Sequence, residues 1–223
     1  MRRHRLDDRR GPGLSAVRLS DDALPVLWSL YDASGIRPEW VLPMLHLESS
    51  FDPSAVNAKS GALGVAQDLP VYLTRNGVDV AAFRTMTAGE QIQASLAPRL
   101  TNLAKHYGGV QSATRVYQAN YLPATLPTAR ALFSPLAWKP QGAYVDNALL
   151  DPQKKGVILV CDLAHAMAVQ AASSEVADAL KRAYALRPTL SSQNVVYGAD
   201  FVDPLWSAGA LLFGAGVGAH RLA

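Results

Sequence analysis

Five apolar residues spaced for one side of a helix restrict this chain more than any other feature. Ile92, Leu96, Leu100, Leu103 and Tyr107 follow Thr87 at steps of four, four, three and four. Such steps return to one face of an α-helix and would fall on both faces of a strand. Gly108-Gly109 then stops the run, because glycine readily takes the left-handed conformation that ends helices. Pro98 lies inside it, has no N–H to donate and predicts a kink. The same reasoning extends outward. Ser20-Asp21-Asp22 reads as the N-cap of a helix through Leu24, Leu27, Leu30 and Tyr31, ending near Gly35. Pro38 opens a second helix to about Ser50, bent at Pro43. Further helices are expected around Ala113 to Tyr121 and, as one long element, from about Val160 through Ala185. Residues 51 to 70, rich in Ser, Asn, Gly and Pro, read as an ordered loop. No repeat of 20 to 50 residues is present. The expectation is a mainly α chain.

Composition agrees with a packed domain. Hydrophobic residues make up 49% and charged ones 17% of the 223 positions, which suits a globular core and excludes a disordered chain. The reading divides the chain into a basic N-terminal tail (1–19), a single helical domain (20–190) and a C-terminal tail (191–223). Arg2, Arg3, His4, Arg5, Arg9 and Arg10 face only Asp7 and Asp8, a pattern read as a solvated tail. Residues 204 to 219 carry no charge, yet this run is shorter than the ~18–20 residues of a membrane span. Packing onto the domain or a partner subunit is preferred there to membrane contact. A single cysteine, Cys161, excludes an internal disulfide; its apolar run, Gly156 to Cys161, predicts a buried thiol. The basic start leads into Gly11-Pro12-Gly13 with no apolar stretch behind it, so no signal peptide is expected.

The chemistry concentrates between Glu48 and Pro70. Glu48 follows Val41, Met44 and Leu45 by seven, four and three residues, which sets its carboxyl on the apolar face of the second helix. A carboxyl there loses hydration, its charged form is disfavoured and its pKa rises. Such a group can hold a proton near neutral pH and deliver it to a leaving oxygen. Phe51 and Pro53 stop the helix. Gly61 and Gly64 allow sharp turns and close approach of main chain to a ligand. Gln67 offers a donor and an acceptor to an N-acetyl or hydroxyl group.

Glu48, Phe51, Pro53, Ala55, Ser60, Gly61, Ala62, Gly64, Gln67 and Pro70 together resemble the signature of the soluble lytic transglycosylase family, which is related to goose-type lysozyme. The family's Gly-Leu-Met-Gln stretch reads Gly64-Val65-Ala66-Gln67 here. Its Ala-Tyr-Asn-Ala-Gly motif is similar to Val116-Tyr117-Gln118-Ala119-Asn120, which retains the tyrosine and replaces the Asn and Gly. Thr87-Ala-Gly-Glu-Gln91 also looks like the family's intervening helix. The resemblance implies a lysozyme-like helical domain that cuts the β-1,4 bond between N-acetylmuramic acid and N-acetylglucosamine. It implies Glu48 as sole general acid and base, with Ser49, Gly64, Val65, Gln67, Tyr117 and Gln118 meeting the glycan. It calls for no cofactor and no metal. With no signal of its own, such an enzyme is expected to reach the cell wall inside a phage particle, among other virion or secretion-apparatus subunits. The alternative is a structural virion or secretion component that keeps the fold and has lost turnover.

Other constellations are weaker. Asp52 and Asp68 are expected to be solvated or turn-stabilising. Asp151 to Asp162 has the frame of a calcium loop, but Gln153 and Lys155 stand where oxygen ligands belong, so it reads as a metal-free turn. The five histidines lack metal spacing, and His46, two residues before Glu48, lies on another face. Basic and aromatic residues do not interleave as for nucleic acid.

Overall fold

The second helix is the axis of the molecule. In a computed structural model, which describes residues 18–108 and 110–188, α1 (Ala23–Ser34) and α2 (Pro38–Ser49) begin a mainly helical chain. Every residue of α2 from Pro38 to His46 is buried. Pro38 opens it at a position where a missing N–H costs nothing. Pro43 lies within it and gives up its donor to the carbonyl one turn earlier. Against α2 pack α1, α7 (Ala113–Tyr121), α9 (Val160–Ala171) and α10 (Ser174–Ala185). The Trp28 indole N–H donates to Ala183 O at 2.8 Å and its ring meets Tyr184 edge-on, joining α1 to α10.

Between α2 and α7 the chain builds a smaller lobe. The short helices α3 (Pro70–Arg75) and α4 (Val80–Phe83) pack Leu73 and Phe83 against Leu63 of the preceding loop. That loop is ordered, as expected, with isolated bridges pairing Leu63 with Val56 and Asp68. Thr87 then caps α5 (Ala88–Gln91) through a reciprocal pair with Glu90. α5 continues through a π-turn (Ile92–Leu96) into α6 (Ala97–Tyr107), closed by left-handed Gly108. The irregularity expected at Pro98 is this wider turn. Proline has no N–H for the carbonyl four residues back, and Ala97 N–H donates five back, to Ile92 O.

After α7, β1 (Pro135–Trp138) pairs antiparallel with β2 (Val157–Leu159), with α8 (Gly142–Asp146) between them. The run at 157–161 is therefore both strand and helix start, since Val160 already belongs to α9.

Four expectations need correction. The long helix from Val160 is two helices, because Ser173 accepts from Val176 N and so starts α10 as a new element. Asp22 does not cap its own helix: its carboxylate accepts from Gly89 N at 3.1 Å and from the Thr87 hydroxyl, stapling α1 to α5. Cys161, the second residue of α9, is only half-buried. Leu19, assigned to the tail, is in the core at 1% exposure. Most of the two tails lies outside the described residues, and among those described no helix is long and apolar enough to cross a membrane.

Candidate functional site

Glu48 occupies the last turn of α2, and the chain reverses directly after it. Ser50 and Phe51 both take positive φ, 54° and 68°. For a bulky Phe that conformation is unfavourable, and it persists where packing fixes it. Here the ring is fully buried, 5.1 Å from His46. His46 itself is buried and its Nδ1 lies 2.6 Å from Gln170 Oε1, so it anchors α2 to α9 away from the acid.

The reversed loop returns to the helix it left. Ser49 hydroxyl bridges Leu45 O and Val65 O at 3.2 and 3.0 Å, fastening the helix end to the Gly64–Gln67 turn. Gly64, at φ 73°, is required by contact as well as conformation: a Cβ there would sit 2.3 Å from Gln91 Oε1. That Gln91 oxygen accepts from Val65 N at 2.9 Å, while its Nε2 donates to Pro53 O and Phe83 O at 2.9 and 3.1 Å. One buried amide thus holds three parts of the small lobe in register. Gln67 folds its Nε2 back on Gly64 O at 3.0 Å. Its donor end is committed within the loop, and its Oε1 accepts no hydrogen bond among the described residues.

α7 supplies the opposite wall. Asn120 Nδ2 donates to Glu48 Oε1 at 3.0 Å and contacts Ala66 O at 3.4 Å. Asn120 Oδ1 accepts from Arg99 of α6 at 2.7 Å, and Arg99 also donates to Asp68 Oδ1 at 2.8 Å. Tyr117, one turn earlier on α7, is buried and stacks near Tyr121 with centroids 6.2 Å apart. Tyr121 hydroxyl donates to Ala143 O of α8 at 2.7 Å, and Asp146 of α8 meets Lys59 of the loop at 2.6 Å.

The electrostatics follow from this placement. Desolvation lifts Glu48 to about 7, against smaller lowering effects from the Asn120 hydrogen bond and the Arg99 charge. Burial and the charge of Glu48 push the Tyr117 phenol well above its ordinary value, so it is a neutral group here. Glu48 is nonetheless reachable: the residue keeps intermediate exposure, and Oε2 is not among the sealed, unpartnered atoms. A recessed carboxyl, protonated part of the time at neutral pH and open at one oxygen, can act as a general acid and then a general base.

Compared with protein-family models, with curated proteins and with solved structures, the chain finds no match. The site therefore rests on its own geometry. Of the residues expected to form it, Glu48, Ser49, Gly64, Val65, Gln67 and Tyr117 belong to α2, the returning loop and the facing side of α7. Gln118 does not join them. It is fully buried, donates to Thr125 Oγ1 and Ala129 O at 3.0 and 3.1 Å, and accepts from Arg115 at 2.7 Å. Its amide braces the segment after α7, because one step along a helix turns a side chain some 100° from Tyr117.

Asn120, three residues from Tyr117, shares its face and takes the place beside the acid. That spacing was the available signal for it. Asp68 also needs correction: it is neither solvated nor a simple turn residue, but 2% exposed and paired with Arg99. Asp52 does stabilise a turn, accepting from Ser54 N and Oγ.

In the calcium-like loop, Lys155 Nζ lies 2.7 Å from Asp162 Oδ1 and 3.6 Å from Asp151 Oδ1. An internal ammonium thus stands between the carboxylates. Among the described residues no group of three or more His, Cys, Asp or Glu is arranged to hold a metal.

Proposed function

We propose that this chain is a lytic transglycosylase with a lysozyme-like helical fold, cutting the glycan strands of peptidoglycan with Glu48 as its single general acid and base. The supporting observation is Glu48 itself: a carboxyl kept near pKa 7 by burial, with Oε2 open. Most glycosidases need two carboxylates flanking the scissile bond. Among the described residues the carboxylate whose charge acts on Glu48 is Asp68, which is 2% exposed and committed to Arg99. Chemistry with one acid fits that arrangement. The resemblance of the Glu48–Pro70 segment to soluble lytic transglycosylases supplies the substrate class.

In this reading Glu48 protonates the glycosidic oxygen between N-acetylmuramic acid and N-acetylglucosamine. The substrate's acetamido group stabilises the positive charge at the anomeric carbon. Glu48, now a carboxylate, takes the proton from the muramic C6 hydroxyl, whose oxygen closes a 1,6-anhydro ring. No water is consumed, and Glu48 ends protonated. The open Oε1 of Gln67 borders the bound sugars, neutral Tyr117 flanks the acid, and Val65 and Ala66, buried in the core at 1% and 2% exposure, hold the loop in place behind them. Delivery within a virion, for local wall penetration, is part of this reading.

Muropeptides released from purified cell wall test the proposal by mass spectrometry. Wild type should yield anhydro-ended sugars, and Glu48→Gln should lower the rate by roughly 10²–10⁴-fold or more. Wild type without products points to a structural component. Equal activity in both proteins rules out Glu48 as the acid.

A further inference from the structure

We propose that Asn120 is a positioning residue for the site acid: it fixes Glu48 Oε1, keeps the Arg99 guanidinium off the carboxyl, and leaves Oε2 as the oxygen that exchanges protons with substrate. As a statement about catalysis this rests on the function proposed above. The hydrogen-bond chain itself does not.

The orientation of the Asn120 amide follows from its neighbours. Arg99 has only donors, so the group facing it must be the acceptor Oδ1, at 2.7 Å. The amide nitrogen is thereby turned to Glu48 Oε1 at 3.0 Å and Ala66 O at 3.4 Å. Arg99 is itself held, because its other terminal nitrogen donates to buried Asp68 at 2.8 Å. Asp68 is pinned in turn by mutual backbone bonds with Leu63, at 2.8 and 2.9 Å.

The result is a chain from Asp68 through Arg99 and Asn120 to Glu48 in which a neutral amide separates the cation from the acid. Direct contact with a guanidinium favours the ionised carboxylate strongly, whereas an amide donor favours it modestly. With Asn120 interposed, Glu48 is protonated part of the time at neutral pH and stays in one orientation. The donor on Oε1 satisfies that oxygen, so the proton resides on Oε2, the atom open to a ligand.

The test titrates Glu48 directly. The chain has four glutamates, Glu39, Glu48, Glu90 and Glu175, so selective carbon-13 labelling of their carboxyls gives a resolvable NMR titration. Two variants probe the amide. Asn120→Leu removes the donor while keeping the volume that excludes Arg99. Asn120→Asp keeps the shape and the Arg99 pairing but turns a carboxylate oxygen toward Glu48.

Wild type should titrate near 7. Asn120→Leu should raise the midpoint by about one unit, a tenfold change in proton affinity, and Asn120→Asp by more. In the cell-wall assay the alkaline limb of the pH profile should move with the midpoint, and kcat should fall while KM changes little.

Unchanged midpoints in variants whose circular dichroism and melting match wild type would overturn the proposal. If Asn120→Leu fails to fold, the near-isosteric Asn120→Asp decides alone. A wild-type protein that titrates as described but releases no anhydro sugars would leave this inference standing and refute the enzymatic function.

Discussion

The two ends of α2 each carry a recessed glutamate near an arginine, and they resolve the pairing in opposite ways. At the N-terminal end Glu39 is 1% exposed and meets the Arg37 guanidinium directly, with Tyr184 hydroxyl 3.3 Å from the same arginine and the Trp40 ring beneath it. At the C-terminal end Glu48 meets an amide, and the guanidinium of Arg99 stops one residue short. The first arrangement ties a carboxyl to a guanidinium for structure. The second withholds a counter-charge, so that the acid can change protonation. A carboxyl becomes useful in acid–base chemistry through what it is denied as much as through burial.

Breaking the structural end should give the larger stability effect. Arg37→Met would leave Glu39 buried without its partner, a change that costs about 3–5 kcal/mol when one member of a buried pair is removed. Urea unfolding at neutral pH measures it. A loss below about 1 kcal/mol would mean that Glu39 reaches water, and that the two ends differ less than their geometry says.

The other end should show the reverse sign. Glu48 has an ordinary value of 4.5 and a folded value near 7, so between those limits the native protein binds more protons than the unfolded chain. Stability from this group is present below pH 4.5 and is lost as pH rises through about 7. Glu48→Gln has no such dependence. The variant should therefore gain on wild type across that window, by on the order of 3 kcal/mol above pH 8. Paired melts from pH 4 to 9 measure the difference. A constant gap would place the Glu48 carboxyl in ordinary solvent. A variant that is more stable at high pH, and inactive if the proposed function holds, is what a site acid held out of its preferred state should give.

Much of this was legible in the sequence because it is local. The apolar spacing after Thr87, the glycine stop at Gly108 and the boundaries of α7 follow from helix periodicity and capping, which neighbouring residues decide. Glu48 was legible for the same reason, by its spacing from Val41, Met44 and Leu45. What stayed hidden depends on partners far along the chain. Asp22 reads as a cap for α1, and only its 67-residue reach to Gly89 N shows that it serves α5. Asp68 reads as a loop aspartate until α6 brings Arg99 against it. Gln91 reads as part of the helix start after Thr87, yet its amide sets the loop at Gly64. The exchange of roles between Gln118 and Asn120 is the instructive middle case. Motif position favoured the first, helical phase favoured the second, and phase decided.

The weakest pair near the site sets a floor for the comparison. Lys59 and Asp146 lie 2.6 Å apart, linking the loop after Asn57 to α8 beside Tyr121, but their side chains are 64% and 51% exposed. Both ions keep most of their hydration, and holding a lysine in one rotamer costs entropy, so such pairs contribute under about 1 kcal/mol and are screened by salt. Lys59→Ala should consequently shift the melting temperature by no more than a few degrees, and 0.5 M NaCl should abolish most of that shift. A larger, salt-insensitive loss would show that the pair is desolvated and that α8 is fixed over the site as firmly as Arg37 fixes Glu39. The small, screened result would instead leave the loop and α8 free to part, as the glycan substrate proposed above would require.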